Sequence, residues 1–399
     1  MNHTTKITDQ FHLDVYNRFP VTLTKGKGAT VWTDDGRELI DALAGIAVNS
    51  LGHCHPKVVE AIKGQAEKLM HISNFYYNEP QARLVQMLAE CSGLDRIFLC
   101  NSGAEAIEAA VKLARKYGHA HDRSGPILTM SNAFHGRTIT TISMGMEKYA
   151  KGYAPLAKGF QKVIYNDVES LRQAFKENPI AIILETIQGS GGLDVASTSF
   201  METVQELCNK HDTLLIIDEI QTGIARTGKM WSFQHYNIKP DIIASAKALG
   251  GGFPTGAMMA KESVASVMKY GSHGSTFGGN PLACTAAVAS LTAVIDEDLI
   301  QQAAEKGTWL KQYLKKEAPS NRAIKDIRGK GLMMGVELTF EGRPVVEEML
   351  KRGVLSNCTQ GNVIRLVPPL VITRTELQKV ADVLIASINQ VHQINVHTK

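Results

Sequence analysis

The chain has 399 residues, of which 44% are hydrophobic and 21% are charged, the composition of an ordinary folded protein. Its net charge is only +4, so nothing in the charge balance indicates a nucleic-acid partner. No apolar run approaches the roughly 18 residues that a membrane span requires, and the polar first residues contain no signal core. Six scattered cysteines without a CxxC pair speak against a disulfide framework or a zinc ribbon, so we expect a cytoplasmic protein with no membrane partner.

The first predicted element is a hairpin, with strands at 29–33 and 38–40 joined by a turn at 34–37. Short uninterrupted apolar runs then alternate with amphipathic helical patterns. The predicted strands are 96–100, 127–130, 180–184, 214–217 and 242–243, and the predicted helices include 104–117, 200–211 and 281–295. This alternation predicts the α/β class, with a mainly parallel central sheet that helices cover on both faces.

The two chain ends follow a different pattern, because the C-terminal part mixes helices with strands at 331–338 and 363–366. We therefore expect residues 1–50 and 295–399 to form one smaller α+β domain beside a large domain at 51–294. Polar or glycine-rich segments follow several strands of the large domain. Ligands of open α/β sheets bind outside the carboxyl ends of the strands, so these segments are where a site is expected.

Two such segments carry an acid and a lysine. Asp218 closes the strand at 214–217, and Lys247 follows the strand at 242–243, between small apolar residues and a glycine triplet. Apolar surroundings lower the pKa of a lysine and free its amine for Schiff-base chemistry. Pyridoxal phosphate (PLP) needs such a lysine, together with an acid that keeps its ring nitrogen protonated. The pair indicates a PLP site, although a solvated lysine and a helix N-cap remain the alternatives for each residue alone.

Residues 223–229 allow a competing interpretation, because they nearly match a phosphate-binding P-loop and follow a strand that resembles Walker B. However, Met230 stands where a P-loop carries its magnesium-binding serine or threonine. The acidic strand also runs directly into the loop, whereas a P-loop domain has the two on separate strands. A P-loop ATPase therefore stays a remote alternative.

A phosphate site is predicted at residues 101–105, which follow the first strand of the large domain and open a helix. The N–H groups at a helix start bind anions, although a simple serine N-cap explains the same pattern. On the next loop, Phe134 and Arg137 could stack on a ring and bind a carboxylate, with a core phenylalanine and a surface arginine as the alternative.

A cluster at residues 52–56 contains two histidines and a cysteine. Sequence neighbours rarely point at one ion, and no further ligand set has a recognised metal spacing. The cluster therefore predicts the start of a helix at Pro56, and we expect no metal.

The ordered motifs resemble those of the class III aminotransferases, which are PLP-dependent enzymes of fold type I. The resemblance extends over nearly the whole chain. Its blocks are YNRFP (16–20), GIAVN (45–49), LGH (51–53), NSGAEA (101–106), FHGRT (134–138), DEIQTGIARTG (218–228), AKALGGGFPTGA (246–257), GSTFGGNPLAC (274–284) and RLVPPL (365–370).

The resemblance implies a role for each matching residue. Lys247 forms the Schiff base and moves the proton between the substrate carbon and the cofactor carbon, while Asp218 binds the pyridine nitrogen. The other implied cofactor-binding residues are Ser102, Gly103 and Ala104 at the phosphate, Phe134 and Ile220 on the ring faces, Gln221 at the phenolic oxygen, Glu185, and Thr276. In the family that threonine reaches the phosphate from the partner subunit, so a homodimer is expected. The implied substrate-binding residues are Tyr16, Arg137, Ser275 and Arg365.

The implied reaction moves the δ-amino group of N2-acetylornithine to 2-oxoglutarate, giving N-acetylglutamate 5-semialdehyde and glutamate in arginine biosynthesis. Arg365 would bind the near carboxylate of glutamate and Arg137 the far one. Acetylornithine offers only the far carboxylate, so Arg365 then needs another anion.

In relatives this anion is a glutamate, at the position where this chain has Ser190. Serine cannot offset a buried guanidinium charge. A second departure is Ile107, where asparagine is usual. Ornithine, succinylornithine and 4-aminobutyrate therefore stay alternative donors, and a PLP decarboxylase or mutase is a remoter one.

Overall fold

The computed structural model describes residues 3–317 and 322–397. Its strands are β1 (Leu23–Lys27), β2 (Thr30–Thr33), β3 (Glu38–Asp41), β4 (Arg96–Cys100), β5 (Ile127–Met130), β6 (Phe160–Val163), β7 (Ala181–Leu184), β8 (Ile187–Gln188), β9 (Asp194–Val195), β10 (Leu214–Asp218), β11 (Ile242–Ser245), β12 (Gly256–Ala260), β13 (Ile324–Lys330), β14 (Met333–Leu338), β15 (Val354–Leu355), β16 (Asn357–Thr359) and β17 (Val363–Leu366).

The helices are α1 (His3–Phe11), α2 (Ala44–Ala47), α3 (Pro56–Ala66), α4 (Glu79–Ser92), α5 (Gly103–Ala120), α6 (Ile139–Met144), α7 (Glu147–Ala150), α8 (Val168–Ala174), α9 (Thr198–His211), α10 (Glu262–Ala265), α11 (Pro281–Asp296), α12 (Leu299–Glu317), α13 (Arg343–Lys351) and α14 (Arg374–His397). Short 3-10 helices lie at Phe175–Glu177, Ser232–His235 and Lys247–Gly250. None of the described helices is both long enough and apolar enough to cross a membrane.

Seven strands of the described chain form the central sheet, in the order β4-β12-β11-β10-β7-β5-β6. The pairs β11–β10, β10–β7, β7–β5 and β5–β6 are parallel, whereas β12 is antiparallel to both β11 and β4. Six strands therefore point the same way and β12 points the opposite way. The predicted mainly parallel sheet is confirmed, and the carboxyl ends of β4, β5, β7, β10 and β11 meet at one edge.

One further sheet joins the two ends of the chain. The predicted N-terminal hairpin is confirmed as β2 and β3, and β15 from the C-terminal part pairs in parallel with β3. A second sheet has the antiparallel order β13-β14-β17-β16. The domain limits at 50 and 295 stay a prediction.

The sequence of helix α5 explains why this helix packs against the central sheet and where its N-terminus lies. Its buried Ala106, Ala110 and Leu113 recur at helical spacing and face β11 and β12, and the small side chains let the helix lie close to the sheet. Ser102 is its N-cap, with Oγ accepting from the N–H of Glu105 at 3.3 Å. The N-terminus of α5 is thereby held at the edge where β4 ends.

Candidate active site

A cavity of about 320 Å³ lies at the carboxyl edge of the central sheet. It is lined by residues that follow β4, β5, β7, β10 and β11, as expected for an open α/β sheet. The residues predicted from the sequence that line it are Ser102, Gly103, Ala104, Phe134, Glu185, Asp218, Ile220, Gln221 and Lys247.

Five other predicted residues lie outside this lining, and Arg137, described below, is one of them. Arg365 is adjacent, since its Nη1 donates to Gln221 Oε1 at 3.4 Å. Ser275 and Thr276 line a neighbouring cavity of about 1150 Å³. Tyr16 lies in the N-terminal segment, where its ring is exposed and it lines a third cavity. The structure therefore does not bring Tyr16 and Thr276 of one chain to the cavity, and their roles stay predictions.

Lys247 follows the small Ala246, which is the first residue after β11, and it begins a 3-10 helix. Its φ of 46° lies in the left-handed region, which side chains other than glycine rarely adopt and which strained active-site residues often do. Burial lowers the pKa of Lys247 to about 8, while Asp218 opposes this shift and Arg365 adds to it. The amine is therefore a much better nucleophile and base near neutral pH than an exposed lysine.

Asp218 is held from two sides at the end of β10. Its Oδ1 accepts from the N–H of Ile220 at 3.0 Å, and its Oδ2 lies 2.7 Å from Nδ1 of His135. Burial disfavours the charged imidazole, but the hydrogen bond and charge of Asp218 outweigh burial and raise the pKa of His135. An imidazole that donates to Asp218 fixes the orientation of that carboxylate in the cavity.

Gly103 shows why the first turn of α5 needs a glycine. A Cβ at this position would lie 2.8 Å from Cδ1 of Ile220, the residue that packs across from it. The missing side chain therefore lets Ile220 lie over the start of α5 and leaves the backbone N–H groups of the turn accessible. The side chain of Glu105 is turned back, accepting from the backbone N–H of Asn101 at 2.8 Å.

Glu185 follows β7 and forms part of the cavity wall. Its two carboxylate oxygens accept from the N–H groups of Phe134 and Gly189, both at 3.1 Å. Burial raises the pKa of Glu185 to about 7. Because it binds the backbone of Phe134, this carboxyl fixes the loop that carries the predicted stacking ring.

Arg365 extends from β17 and is 4% exposed. Its Nε donates to Asn357 Oδ1 at 3.1 Å, and its Nη1 donates to the carbonyl of Gly189 at 3.0 Å and to Gln221. Burial lowers the pKa of Arg365 to about 10, and the influence of Tyr149 works in the opposite direction. Among the described residues its hydrogen-bond acceptors are all neutral, so no carboxylate hydrogen-bonds to Arg365 in place of the glutamate that Ser190 replaces, although the charge of Glu185 also acts on it.

Arg137 makes a different kind of contact. Its Cζ lies 3.8 Å from the ring centroid of Tyr149 and 5.7 Å from that of Phe134. The rings of Phe134 and Tyr149 meet edge to face, with centroids 5.5 Å apart. The guanidinium is exposed and therefore accessible to a substrate carboxylate.

The sequence did not assign His135, Asn357 or Tyr149. A signal existed for His135, since it lies between Phe134 and Arg137 in a recognised motif. Asn357 and Tyr149 carry no such signal, because their meetings with Arg365 and Arg137 depend on the tertiary fold.

The ATPase alternative is wrong. Residues 223–229 form a run of turns, and the short 3-10 helix Ser232–His235 follows where a P-loop would open a long α-helix. Arg226 is fully buried and donates to the carbonyls of Leu332 at 3.0 Å and Pro368 at 2.6 Å. This segment is therefore attached to the C-terminal part of the chain.

The histidines of residues 52–56 point to different partners. Nε2 of His53 lies 2.8 Å from Asp41, and Nε2 of His55 lies 3.3 Å from Glu297. Pro56 begins α3, so the predicted helix start is confirmed. No group of three or more potential metal ligands occurs among the described residues.

The sequence profile of the family "Aminotransferase class-III" matches residues 13–388. The chain belongs to this family. It is 48% identical to the acetylornithine aminotransferase of Methanocaldococcus jannaschii over 96% of both chains. It is 46% identical to that of Caldanaerobacter subterraneus subsp. tengcongensis, over 94% of this chain and 96% of the relative.

Solved structures show the same fold. The ornithine aminotransferase of Toxoplasma gondii superposes with a TM-score of 0.94 at 38% identity, covering 98% of this chain and 95% of the other. The acetylornithine aminotransferase of Elizabethkingia anophelis gives a TM-score of 0.87 at 34% identity, covering 97% and 98%. The fold of a type I PLP-dependent transferase is thereby confirmed.

Proposed function

We propose that this aminotransferase uses PLP to move the δ-amino group of N2-acetylornithine to 2-oxoglutarate. The observation that carries the proposal is the near full-length identity to acetylornithine aminotransferases, joined to a cavity that contains Lys247 and Asp218. The products would be N-acetylglutamate 5-semialdehyde and glutamate, and the setting would be arginine biosynthesis in the cytoplasm.

The residues of the cavity fit PLP. A lysine with a lowered pKa, a buried carboxylate and the N-terminus of a long helix face one space, with Phe134 and Ile220 among its walls. They would hold the aldehyde carbon, the ring nitrogen, the phosphate and the ring faces, respectively. When bound, PLP supplies an electron sink for the carbon that loses its proton.

The chain's own groups would handle the protons. Nζ of Lys247 is available to take the proton from the amine-bearing carbon, because much of it is neutral near pH 8. Asp218 would keep the ring nitrogen protonated, and His135 would keep Asp218 oriented by donating Nδ1–H to it. Gln221 accepts from Arg365 through Oε1, which leaves its Nε2 as a donor for the phenolic oxygen.

The two arginines would select acidic substrates. Glutamate carries two carboxylates, for which Arg365 and Arg137 are the candidate partners. Acetylornithine would use Arg137 alone. The described contacts of Arg137 include no carboxylate, so its positive charge is not offset there and would repel the α-ammonium group of ornithine but not the neutral acetamide of this donor.

Ornithine remains the second candidate donor, because the ornithine aminotransferase of Toxoplasma gondii has the same fold at 38% identity. The test is the half-reaction with each donor separately, followed by the change in cofactor absorbance. N-acetylornithine should give the highest rate constant divided by its dissociation constant, ahead of ornithine, succinylornithine and 4-aminobutyrate. A faster reaction of ornithine would refute the proposed donor and leave the transaminase assignment intact.

We also propose a homodimer in which Thr276 of the partner subunit reaches the phosphate. One observation supports it. Thr276 is exposed and lines the neighbouring cavity rather than that of its own Lys247.

A further inference from the structure

Tyr149 is a residue of α7 that the proposed chemistry has not used. Its ring lies against the guanidinium of Arg137, with 3.8 Å between Cζ and the ring centroid. The same ring meets the edge of Phe134, the predicted stacking residue, at an interplanar angle of 76°. Tyr149 therefore connects the residue expected to hold the cofactor ring to the residue expected to hold the substrate carboxylate.

The geometry leaves the useful part of Arg137 free. A guanidinium that stacks on a ring uses its flat face, while its N–H donors remain around the edge. Arg137 has no hydrogen bond or ion pair within residues 3–317 and 322–397, so the ring contacts are what orient it. Cζ of Arg137 lies 3.8 Å from the ring centroid of Tyr149 but 5.7 Å from that of Phe134, so Tyr149 makes the closer contact.

The backbone fixes the two residues relative to each other. The N–H of Tyr149 donates to the carbonyl of Met146 at 3.1 Å, and the N–H of Met146 donates to the carbonyl of Ala133 at 3.2 Å. Ala133 immediately precedes Phe134, and both Ala133 and Met146 are buried. The start of α7 is thus attached to the loop that carries Arg137. These backbone hydrogen bonds therefore hold Tyr149 close to Arg137.

We propose that Tyr149 is a positioning residue that sets the specificity for donors with a distal carboxylate. Its ring holds Arg137 in the orientation that presents the guanidinium edge to the substrate carboxylate. The arginine side chain is then already ordered, so substrate binding does not have to include the entropic cost of ordering it. The inference rests on the proposed role of Arg137. It adds that a neighbouring aromatic ring, not a hydrogen bond, makes that arginine effective.

The experiment compares Tyr149→Leu and Tyr149→Phe with wild type on two matched donors, N2-acetylornithine and its decarboxylated analogue N-acetyl-1,4-diaminobutane. For acetylornithine, Tyr149→Leu should raise KM about twofold to thirtyfold, the range of a cation–π contact, with a much smaller change in kcat. The analogue has no carboxylate, so its kcat/KM should stay unchanged. Tyr149→Phe keeps the ring and should behave as wild type with both donors.

Two controls separate this effect from general damage. Tyr153→Leu removes an exposed tyrosine close in sequence that makes no ring contact with Arg137, and it should leave both donors unaffected. Arg137→Gln should lose the preference for the carboxylate, and adding Tyr149→Leu should then change little. Equal losses with both donors, or full additivity of Tyr149→Leu and Arg137→Gln, would overturn the proposal.

Failure of the proposed function would look different. Wild-type enzyme would then prefer ornithine, succinylornithine or 4-aminobutyrate over acetylornithine. Each of these donors also carries a distal carboxylate, so the Tyr149 comparison is repeated with the preferred donor and its decarboxylated form. A carboxylate-dependent loss in that pair supports the role of Tyr149, and its absence refutes it.

Discussion

At the scale of single residues, the site depends on burial to change the chemistry of ordinary side chains. Lys247 and Glu185 show opposite responses, because burial lowers the pKa of the amine to about 8 and raises that of the carboxyl to about 7. Both shifts favour the neutral form, as desolvation requires. The cavity therefore combines a partly neutral base with a carboxyl that changes charge in the same pH range.

The shift of Lys247 predicts a pH dependence of cofactor capture. The neutral amine is the reactive form, and a folded pKa near 8, below the usual value of about 10.4, makes that form dominant above about pH 8. The rate at which stripped enzyme recaptures PLP should thus reach a plateau above about pH 8, with about a tenth of the plateau rate at pH 7. Stopped-flow absorbance measures this rate. A rate that still rises tenfold per pH unit toward about pH 10 would show an unshifted lysine.

Ser190 leads to a second prediction at this scale. The carbonyl of Ser190 accepts hydrogen bonds from Thr359 at 2.7 Å and Gln360 at 3.0 Å, so its backbone is held beside the sheet that carries Arg365. In Ser190→Glu, a carboxylate should pair with Arg365 and compete with the near carboxylate of glutamate. We expect the ratio of KM for glutamate to KM for acetylornithine to rise roughly tenfold, or about 1.4 kcal/mol.

The control for this variant is Ser263→Glu, which introduces the same charge on an exposed position of α10. It should leave the ratio unchanged. An unchanged ratio in Ser190→Glu as well would mean that Asn357, Gly189 and Gln221 already satisfy Arg365 in both half-reactions.

At the scale of elements, hydrophobic periodicity correctly predicted those strands and helices whose own sequence determines their structure. The strands at 127–130 and 363–366 have the predicted limits, and the helix predicted at 104–117 extends over 103–120. The strand β12, with the sequence GAMMA, was not predicted. It contains no β-branched or aromatic residue, and its antiparallel place between β11 and β4 is decided by pairing with those strands.

The residues of the candidate site also fall into a group that the sequence predicted and a group that it did not. Residues in recognised motifs, such as Lys247, Asp218 and Phe134, line one cavity as the strand ends suggested. The partners that orient them come from distant segments. Asn357 meets Arg365 through the pairing of β16 with β17, and no spacing in the sequence indicates that contact.

Helix α2 is an element with a stability prediction of its own. Ala44, Gly45, Ile46 and Ala47 all have φ between 50° and 66°, so this turn is left-handed. That conformation costs about 1–2 kcal/mol for a residue with a Cβ, and it is especially unfavourable for a β-branched one. Ile46 is 38% exposed, so little packing offsets the cost.

We expect Ile46→Gly to be more stable than Ile46→Ala by about 1 kcal/mol. Both variants lose the same side chain, but glycine alone escapes the left-handed penalty. Thermal and denaturant unfolding of the two variants, with saturating PLP, measures the difference. Equal stability, or a more stable alanine variant, would show that the turn is not left-handed in solution.

At the scale of the whole molecule, one surface of the single chain exposes more aromatic side chains than a surface that faces only water would be expected to carry. Five large aromatic side chains are strongly exposed near the cavity that Ser275 and Thr276 line, namely Phe75, Tyr76, Tyr77, Tyr270 and Phe277. Exposed apolar patches of this kind mark interaction sites. The proposed homodimer would cover them and bring Thr276 to the phosphate of the other subunit.

Mixed dimers test whether Thr276 acts across that interface. Lys247→Ala removes the reactive amine, and Thr276→Asp places a negative charge against the phosphate, so each homodimer should be inactive. In a mixed dimer purified through two different tags, one site receives both defects and the other receives neither. Because the subunits are related by twofold symmetry, activity should return to about half that of wild type. If Thr276 served its own chain, each site would keep one defect and the mixed dimer would stay inactive. If the protein formed no dimer, no doubly tagged species would be recovered.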